Sequence, residues 1–318
     1  MMPFDVLCFG EALIDMRGEN VDGQLRFVPQ PGGAPANVAV GVSRLGGRSG
    51  FAGQVGADLF GNQILASLAG FGVDTSLLVQ ANNANTALAM VALDDAGERS
   101  FTFYRNATAD LLYEPEQMPD SALAGQPIFH ICSNTLTEPV IVETTLALVA
   151  RAQKAGCLVS FDVNYRKPLW PDPERAPEQI RAFALEADLV KFSREELTAL
   201  YGDQGDALVE ELRGQGVQLV LVSDGPDALQ AWTGDGQLTI VPPQVRAVDT
   251  TAAGDAFVAG LLYQLASQGV TAERLGPWLA QPASLDRALE FATRCGAIAA
   301  TRFGAFDALP SKADLQDL

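Results

Sequence analysis

Short apolar segments that alternate with amphipathic segments restrict the fold of this chain more than any other feature. The apolar runs are bounded by Gly, Asp or Asn and read FDVLCFG, SGFAGQVG, IFHICS, CLVSFDVN, DLVKFS and VQLVLVSDG. Such runs are typical of buried parallel strands. Helical patterns lie between them, for example at 34–46 and 138–156. The alternation predicts an α/β protein with a three-layer αβα architecture, in which helices cover both faces of a doubly wound, mostly parallel sheet.

Two segments interrupt the alternation, at about residues 17–30 and 86–105. The first is polar and turn-rich, and the second reads as two strands joined by a turn at 94–97. Because neither has a helix to cover it, we expect a small β-sheet that projects from the main domain as a lid or a dimer surface. The alternative is an extension of the main sheet. We see no internal repeat or linker, so residues 1–318 are expected to form a single domain.

The charge balance argues against some classes of partner. The 318 residues include 39 Asp or Glu and 21 Lys or Arg, which gives a formal net charge of −18. Nucleic acids and anionic membranes are held by clustered Lys and Arg, so neither is an expected partner. The chain has no apolar window as long as a membrane span and no signal-peptide pattern at its N-terminus, which predicts a cytoplasmic protein.

Cysteine and histidine usage narrows the possible chemistry further. The single histidine, His130, excludes a site with several histidine ligands, and its place in IFHICS predicts packing rather than base catalysis. The cysteines occur singly in apolar surroundings, which predicts buried, reduced thiols at Cys8, Cys132, Cys157 and Cys295.

The stretch VDTTAAGDAF, residues 248–257, places a carboxylate at the start of an apolar helix. The N–H groups at a helix N-terminus lack partners within the helix and attract anions. Ala252, Ala253 and Gly254 have almost no side chain, so a phosphate could reach their backbone amides. Asp255 could then accept a proton from an attacking hydroxyl group. The alternative is that Asp255 only begins its helix.

A second motif, PGGAPANVA, lies far upstream at residues 31–39. Gly32 and Gly33 allow the backbone to approach a ligand closely. Pro35 suits the first turn of a helix, and Asn37 would present its amide from that turn. A plain tight turn is the alternative, because Gly-Gly often precedes a helix.

Two further stretches end in polar side chains. In SFTFYRNATAD, Phe103 offers an apolar face and Arg105 a fork of donors, although a solvated arginine after a strand would look the same. In FDVNYRKPLW, Asp162, Asn164 and Arg166 follow an apolar run. Polar groups past the carboxyl end of a strand mark the ligand side of an open α/β sheet, which favours a functional role.

Two nucleotide-binding motifs are missing from the chain. It has no G-x-x-x-x-G-K-[ST] phosphate loop, and CFGEALID stands where a G-x-G-x-x-G turn would follow the first strand. An oxidoreductase that uses a dinucleotide cofactor therefore loses its main support.

GGAPANVA and DTTAAGD together resemble the two signatures of the ribokinase-like (PfkB) carbohydrate kinase family, and the resemblance covers nearly the whole chain. Ala252 stands where glycine is commonest in the family. Its amide is the working group, so alanine should be tolerated as long as the position does not need a positive φ. FYR followed by AD, with DVNYRKPLW, VKFSREE and TRFGAFDALP, is most similar to the fructokinases. The 2-keto-3-deoxygluconate kinases share related segments and are the alternative.

The resemblance implies a ribokinase-like fold and an ATP-dependent sugar kinase, with O6 of D-fructose as the expected acceptor. Asp255 is the implied general base, and the amides of Ala252, Ala253, Gly254 and Asp255 would stabilise the charge that develops on the γ-phosphoryl group. The implied sugar-binding residues are Asp15, Gly33, Asn37, Phe103, Arg105, Asn164, Arg166 and Asp255. The implied ATP-binding residues are Lys191, Ser193, Ser223, Gly225, Gly254, Thr293 and Ala297.

Two ions are also implied by the resemblance. Glu196 would help to place Mg²⁺ through water, in a segment where Ser193 replaces the family's usual Asn. Asp249 and Thr251 would be ligands of K⁺. ATP and Mg²⁺ are thus the expected cofactors, with K⁺ as a further ion, and a homodimer through the lid is the expected assembly. A non-catalytic sugar-binding sensor is the alternative from another class, against which the intact Asp255 argues.

Overall fold

The computed structural model describes residues 4–93, 99–281 and 283–316. The strands, in chain order, are β1 (Val6–Phe9), β2 (Leu13–Val21), β3 (Gln24–Gly32), β4 (Ser49–Gly56), β5 (Asp74–Ala81), β6 (Leu88–Leu93), β7 (Arg99–Tyr104), β8 (Ile128–Cys132), β9 (Val159–Asp162), β10 (Leu189–Ser193), β11 (Leu219–Asp224), β12 (Asp227–Thr233) and β13 (Gly236–Ile240).

The α-helices lie between and after these strands. They are α1 (Ala34–Arg44), α2 (Leu59–Gly70), α3 (Pro139–Lys154), α4 (Ala176–Ala184), α5 (Arg194–Tyr201), α6 (Gly205–Gly214), α7 (Ala253–Ser267), α8 (Ala272–Leu279) and α9 (Ser284–Ala300). None of the helices in the described ranges is long and apolar enough to cross a membrane.

Within the described residues the main sheet has nine strands in the order β13-β12-β11-β10-β9-β8-β1-β4-β5. Pairing from β11 through to β5 is parallel, and β12 and β13 add an antiparallel edge. The predicted doubly wound, mostly parallel sheet is therefore confirmed. The period-2 alternation of a strand sends Val6 and Cys8 into one apolar cluster and Leu7 and Phe9 into the other.

These two clusters lie on opposite faces of the main sheet. One packs α1, α7, α8 and α9 against the sheet, and the other packs α3, α4, α5 and α6 against its opposite face. Helix α3 shows why such segments become helical: Pro139 occupies its first turn, Arg151 and Lys154 its last, and the buried face includes Ile141 and Leu148. The three-layer arrangement follows from burying apolar residues on both faces of the sheet.

The small sheet, in the order β3-β2-β6-β7, stands apart from the main sheet. β2 pairs antiparallel with β3 and parallel with β6, and β6 pairs antiparallel with β7. The predicted small β-sheet is thus confirmed as separate from the main sheet: the segment at 17–30 falls in β2, β3 and the turn between them, and that at 86–105 contains β6 and β7. The predicted turn at 94–97 lies outside the described residues.

The strand order of the main sheet places a crevice at the carboxyl ends of its central strands. Connections from β1 lead outward to β4 and β5 on one side and to β8, β9 and β10 on the other, so the winding reverses between β1 and β8. Ligands of open α/β sheets bind beyond the carboxyl ends of strands at such a reversal. A ligand-binding site is therefore expected in the segments that follow β1, β8 and β9.

His130 and the cysteines lie away from solvent as predicted. His130 is in the middle of β8, its Nδ1 lies 3.1 Å from Ser160 Oγ, and burial lowers its pKa to about 3, which keeps the ring neutral. All four cysteines are buried and free. The prediction that His130 packs in the core is confirmed.

Candidate active site

Asp255 lies in the first turn of α7 and is only 6% exposed. Both of its carboxylate oxygens accept hydrogen bonds from side-chain amides: Oδ2 from Asn37 Nδ2 at 2.7 Å, and Oδ1 from Asn164 Nδ2 at 3.2 Å. Asn37 belongs to α1 and Asn164 to the segment after β9. The two upstream motifs and the late one therefore meet at this carboxylate.

The surroundings of Asp255 change its acidity. Burial raises the pKa of Asp255 above its ordinary value. The hydrogen bond from Asn37 and the positive charges of Lys191 and Arg166 act in the opposite direction. A carboxylate with a raised pKa is a stronger proton acceptor than an exposed aspartate, as a general base requires.

The two amide residues show features that fit a ligand beside Asp255. Asn37 Oδ1 is buried and has no hydrogen-bond partner among the residues described. A buried acceptor left unpaired costs about 1–3 kcal/mol, so a ligand hydroxyl donating to it would be stabilising. Asn164 has a φ of 41°, in the left-handed region that few non-glycine residues adopt. Such backbone strain is concentrated at functional sites.

The start of α7 differs from the sequence expectation at two residues. Ala252 has φ 58° and ψ 7°, so the position does need a positive φ, and the condition under which alanine was expected to be tolerated is not met. The left-handed residue turns the chain into the helix. The same turn brings the Ala253 N–H within 3.2 Å of the Thr250 carbonyl, to which it donates. Ala253 is therefore not one of the open donors that the sequence predicted.

Gly254 and Asp255 retain the predicted character of a helix N-terminus. As residues of the first turn of α7, their N–H groups have no partner four residues back within the helix. Gly254 is exposed, and a methyl group at its Cα would lie 3.4 Å from Lys191 Nζ. An anion at this turn would thus meet backbone N–H groups and an ammonium group together.

Lys191 is buried in β10 and forms an ion pair with Asp162 at the end of β9. Its Nζ donates to the two carboxylate oxygens of Asp162 at 3.0 and 3.2 Å. Burial lowers the pKa of Lys191, but the negative charges of Asp162 and Glu196 outweigh it and leave the pKa above its ordinary value. Burial and the like charges of Glu196 and Asp255 raise the pKa of Asp162 to about 7. The Lys191 ammonium group therefore interacts electrostatically with the carboxylates of Asp162, Glu196 and Asp255.

Glu196 and Ser193 are joined at the start of α5. Ser193 Oγ accepts from Glu196 N at 3.1 Å, and Glu196 Oε2 accepts from Ser193 N at 2.8 Å, which is a capping box. Arg166, although exposed, reaches within 3.4 Å of Glu196 Oε1. Ser193 thus takes over the N-cap position in a segment where the family usually has Asn.

Asp15 extends from β2 of the small sheet toward the same region. Burial, together with the charges of Asp255 and Asp249, raises the pKa of Asp15 to about 7. A methyl group at Gly32 would lie 2.6 Å from Asp15 Oδ2, and one at Gly33 2.5 Å from the Glu11 carbonyl oxygen. Gly33 also has φ 108°. These glycines make room for protein atoms, which is a different use from the close ligand approach that the sequence suggested.

Arg105 and Phe103 lie at the end of the small sheet. The Arg105 guanidinium is buried and donates to Asp110 Oδ2 at 2.6 Å, to Asn134 O at 2.8 Å and to Thr137 Oγ1 at 3.0 Å. Phe103 and Arg105 also line a cavity of about 150 Å³ between the small sheet and Trp170. The guanidinium is thus held by protein groups, and its predicted contact with a sugar stays a prediction.

Most of this chain is similar to one known protein family. The family model described as "pfkB family carbohydrate kinase" matches residues 4–312. The chain belongs to the pfkB family of carbohydrate kinases. A fructokinase from Klebsiella pneumoniae is 43% identical over 313 residues, which cover 96% of this chain and 96% of that protein.

Two solved structures are similar to this kinase over almost their full lengths. A fructokinase from Xylella fastidiosa with bound ATP has a TM-score of 0.93 and 43% identity, over 98% of this chain and 97% of that one. A double-mutant fructokinase from Vibrio cholerae O395, with fructose, ADP and a potassium ion bound, has a TM-score of 0.86 and 34% identity, over 100% and 99% of the chains. The ribokinase-like fold expected from the sequence is therefore confirmed.

The remaining residues predicted to bind ATP lie on α9 and at the end of β11. Thr293 and Ala297 are on α9, where Gly296 packs so closely that a methyl group would lie 3.0 Å from Ala253 O. Ser223 and Gly225 are at the end of β11, and Ser223 Oγ donates to the Phe192 carbonyl at 3.4 Å. Gly296 thus brings α9 against the start of α7, and the strand register places Ser223 beside Ser193 at the end of β10.

Asp249 and Thr251, the predicted K⁺ ligands, precede α7. Asp249 is buried and its Oδ1 accepts from Thr251 N at 2.8 Å. Its Oδ2 accepts from Gly304 N at 3.2 Å, in the segment after α9. Asp249 therefore ties two loops together beside the start of α7. In the described ranges no group of three or more His, Cys, Asp or Glu side chains is arranged to hold a metal.

Sequence reasoning assigned no role to three buried polar residues of this kinase, although the AD at 109–110 carried part of the resemblance. Glu11 follows β1, Asn134 follows β8 and Asp110 pairs with Arg105, and all three are almost fully buried. Glu11 was visible in CFGEALID as a carboxylate directly after an apolar strand, which is an unusual place for an exposed charge. Asn134 gave no local signal, because only the tertiary structure brings it to Glu11, whereas Asp110 lies five residues after Arg105 in SFTFYRNATAD.

Proposed function

We propose that this protein is an ATP-dependent fructokinase that transfers the γ-phosphoryl group of ATP to O6 of D-fructose, with Asp255 as the general base. The observation that carries the proposal is the buried Asp255 carboxylate, fixed by Asn37 and Asn164 at a helix N-terminus beside the Lys191 ammonium group. Its membership of the carbohydrate kinase family and its similarity to fructokinases from several organisms support the choice of reaction and of sugar.

The reaction follows from the positions of these groups. Asp255 accepts the proton of the sugar hydroxyl while the oxygen of that hydroxyl forms a bond to the γ-phosphorus. The bond between the γ-phosphorus and the bridging oxygen, which leaves with ADP, breaks in the same step. The amides of Gly254 and Asp255, together with Lys191, stabilise the charge on the transferred group. Asn37 Oδ1 accepts from a sugar hydroxyl, while Asn37 Nδ2 keeps the base oriented. Direct transfer needs no covalent enzyme intermediate.

Mg²⁺ is the divalent ion that the proposal requires. Magnesium usually retains several water ligands and is held by one or two carboxylates together with phosphate oxygens. Glu196 fits this demand, because it is a buried carboxylate near Lys191 and Asp255 that is fixed in place by Ser193. The ion supplies charge neutralisation on the phosphates when bound.

K⁺ is proposed as an activating ion next to Asp249 and Thr251. Support comes from the anchoring of Asp249 to both Thr251 N and Gly304 N, which fixes an acidic oxygen donor beside the anion-binding turn. The potassium ion in the Vibrio cholerae structure is consistent with this proposal. Activation by K⁺ would then act through the position of the turn at Ala252.

A homodimer through the small sheet is the proposed assembly, in the cytoplasm. β3 is an edge strand of that sheet, and it exposes Leu25 by 65% and Phe27 by 38%. Exposed apolar edge strands favour pairing with another chain. Sedimentation of the wild type as a dimer and of Leu25→Lys as a monomer would support it, whereas a monomeric wild type would contradict it. The four buried free thiols favour a reducing compartment.

The experiment that tests the proposed function measures ADP release with MgATP across a panel of sugars. The panel contains D-fructose, 2-keto-3-deoxygluconate and D-ribose, each with K⁺ or with Na⁺. We expect the kcat/KM for fructose to exceed that for the other sugars by about tenfold or more. A higher value for 2-keto-3-deoxygluconate would reassign the substrate. Sugar binding without ADP release would make the protein a sensor and contradict the kinase.

A further inference from the structure

Glu11 is a buried carboxylate at the point where the winding of the main sheet reverses. It follows β1 by two residues and is 1% exposed. Its neighbour across the reversal is the segment after β8, which contains Asn134. None of the steps proposed for phosphoryl transfer uses this carboxylate, although it lies in the crevice where such sheets bind ligands.

A single oxygen of Glu11 joins two parts of the site. Glu11 Oε1 accepts from Asn134 Nδ2 at 2.9 Å and from Ala34 N at 3.2 Å. Ala34 is the first residue of α1, so its N–H is one of the donors that the helix itself leaves unpaired. A negative charge at this end also interacts favourably with the helix dipole. Glu11 therefore fixes the start of α1.

The start of α1 determines where Asn37 lies. Asn37 is three residues after Ala34, within the same first turn, and its Nδ2 donates to Asp255 Oδ2 at 2.7 Å. Gly33, just before the helix, packs on the Glu11 backbone so closely that a methyl group would lie 2.5 Å from the Glu11 carbonyl oxygen. Movement of the Ala34 end would thus move the amide that orients the base.

The other partner of Glu11 leads to the small sheet. The Asn134 carbonyl accepts from Arg105 Nη2 at 2.8 Å, and Arg105 directly follows β7. The positive charge of Arg105 also acts on the Glu11 carboxyl, whose pKa burial raises. A continuous series of contacts therefore runs from the end of the small sheet through Asn134 and Glu11 to α1.

We propose that Glu11 is a positioning residue, which holds the first turn of α1 in register with the Arg105 end of the small sheet and thereby orients Asn37 and Asp255. It acts as a hydrogen-bond acceptor for Asn134 and Ala34 and does not touch the reacting groups. The kinetic part of this inference rests on the proposed sugar kinase activity. Its structural part, the fixing of α1, does not.

Two substitutions at Glu11 separate its acceptor role from its charge. Glu11→Gln retains an Oε1 that can accept from Asn134 and Ala34, so kcat should stay within about threefold of wild type. Glu11→Ala removes the acceptor, and kcat should fall by about tenfold or more, because misplacing a reacting group by about 1 Å can cost a hundredfold. Equal losses in the two variants would overturn the acceptor role.

A double-mutant cycle with Asn37→Ala tests the route through α1. If Glu11 acts through Asn37, Glu11→Ala should lower kcat by less than about threefold in the Asn37→Ala background. A full, additive tenfold loss in that background would overturn the proposal. Asp188→Ala is the matched control, because Asp188 also accepts a backbone N–H, from Val159, and a side-chain amide, from Gln218. Asp188 precedes β10 and therefore lies at the amino ends of the strands, opposite to the site. Asp188→Ala should lower Tm and leave kcat unchanged.

Amide hydrogen exchange of residues 33–38 supplies a readout that needs no substrate. Exchange should be at least about tenfold faster in Glu11→Ala than in wild type and close to wild type in Glu11→Gln. Unchanged exchange in Glu11→Ala would overturn the proposal. Faster exchange with an unchanged kcat would overturn it as well. If the wild type phosphorylates no sugar, the proposed function fails, and the exchange result alone then decides whether Glu11 fixes α1.

Discussion

Replacing Lys191 by methionine removes the ammonium group that lies between Asp162 and Gly254. Methionine keeps much of the apolar stem of lysine and its approximate volume, so the main change is the loss of one buried charge. Lys191 and Asp162 are both nearly fully buried, with side-chain exposures of 5% and 2%. The variant therefore leaves the Asp162 carboxylate buried without its cation.

The size of the effect follows from the geometry of the pair. Two unit charges 3.0 Å apart attract by about 5.5 kcal/mol at an effective dielectric constant of about 20. Breaking a buried ion pair by removing one partner costs about 3–5 kcal/mol in measured cases. We therefore expect Lys191→Met to lower the free energy of unfolding by about 3–5 kcal/mol, which corresponds to a fall in Tm of about 5–8 °C for a chain of 318 residues.

Calorimetry at pH 8 is the appropriate assay, because the pKa of Asp162 is about 7 and the pair is then ionised. Lys191→Met/Asp162→Asn should recover most of the lost stability, since no unpaired charge remains buried. It should not recover activity, because the ammonium group beside Gly254 is still absent. Lys154→Met, at an exposed residue in the last turn of α3, is the control and should change stability by less than about 1 kcal/mol.

Two results would refute this reasoning. If Lys191→Met lost less than about 1 kcal/mol, the ion pair would not stabilise the fold in the way its burial and distances indicate. If the double variant regained wild-type kcat, Lys191 would serve only to neutralise Asp162, and its assignment to the phosphate-binding site would be wrong.

Three further predictions concern the turn before α7, Asp15 and Arg105. Ala252→Gly should raise the free energy of unfolding by about 0.5–1 kcal/mol in urea titration, because relief of a left-handed alanine exceeds the entropy that glycine loses; a loss of stability would contradict this. Asp15 has a folded-state pKa of about 7, above its ordinary value, so its contribution to stability is present below about pH 4 and is lost as pH rises through 7. Asp15→Asn should therefore be more stable than wild type at pH 8 by roughly 1–3 kcal/mol, and equal Tm values of the two proteins at pH 8 would contradict this gain in stability. The variant should also bind sugar more weakly. Arg105→Ala should raise the KM for fructose about tenfold and also lower Tm, because Asp110 loses its buried partner; an unchanged KM would separate the small sheet from the site.

Much of the main sheet could be predicted from the sequence because its strands are buried on both faces. SGFAGQVG and IFHICS carry the continuous apolar pattern of such strands, and they become β4 and β8. The antiparallel edge was not predicted. β12 and β13, at 227–240, are partly exposed, and β12 alternates only weakly, although the TGDG turn between them was a usable hairpin signal.

The candidate site was predictable where a motif carries its own chemistry. Asp255 and Asn37 each follow small residues at a helix start, and the structure brings them within hydrogen-bonding distance although 218 positions separate them in the chain. Asn164 was predictable as a polar residue beyond a strand end. What joined these residues was the resemblance to a family, since spacing along one chain does not fix distances between distant segments.

The conformation of the backbone set the limits of prediction. A positive φ at Ala252 cannot be inferred from an alanine, because the residue type disfavours it, and only the turn from Thr250 into α7 imposes it. The buried contacts of Arg105 were equally invisible, since an arginine after a strand is usually exposed. Its partner Asp110 lies only five residues further along the chain, whereas Asn134 comes from a segment that only the folded chain brings close.

Replacement of Asp255 by asparagine tests the central claim most directly. The substitution keeps the shape of the side chain and removes its ability to take a proton. The kcat from ADP release with fructose and MgATP should fall at least about a hundredfold. The Kd for fructose, measured by calorimetry without ATP, should change by less than about threefold. A variant that keeps more than about a tenth of the wild-type kcat, an effect below about 1.4 kcal/mol, would contradict the assignment of Asp255 as the base.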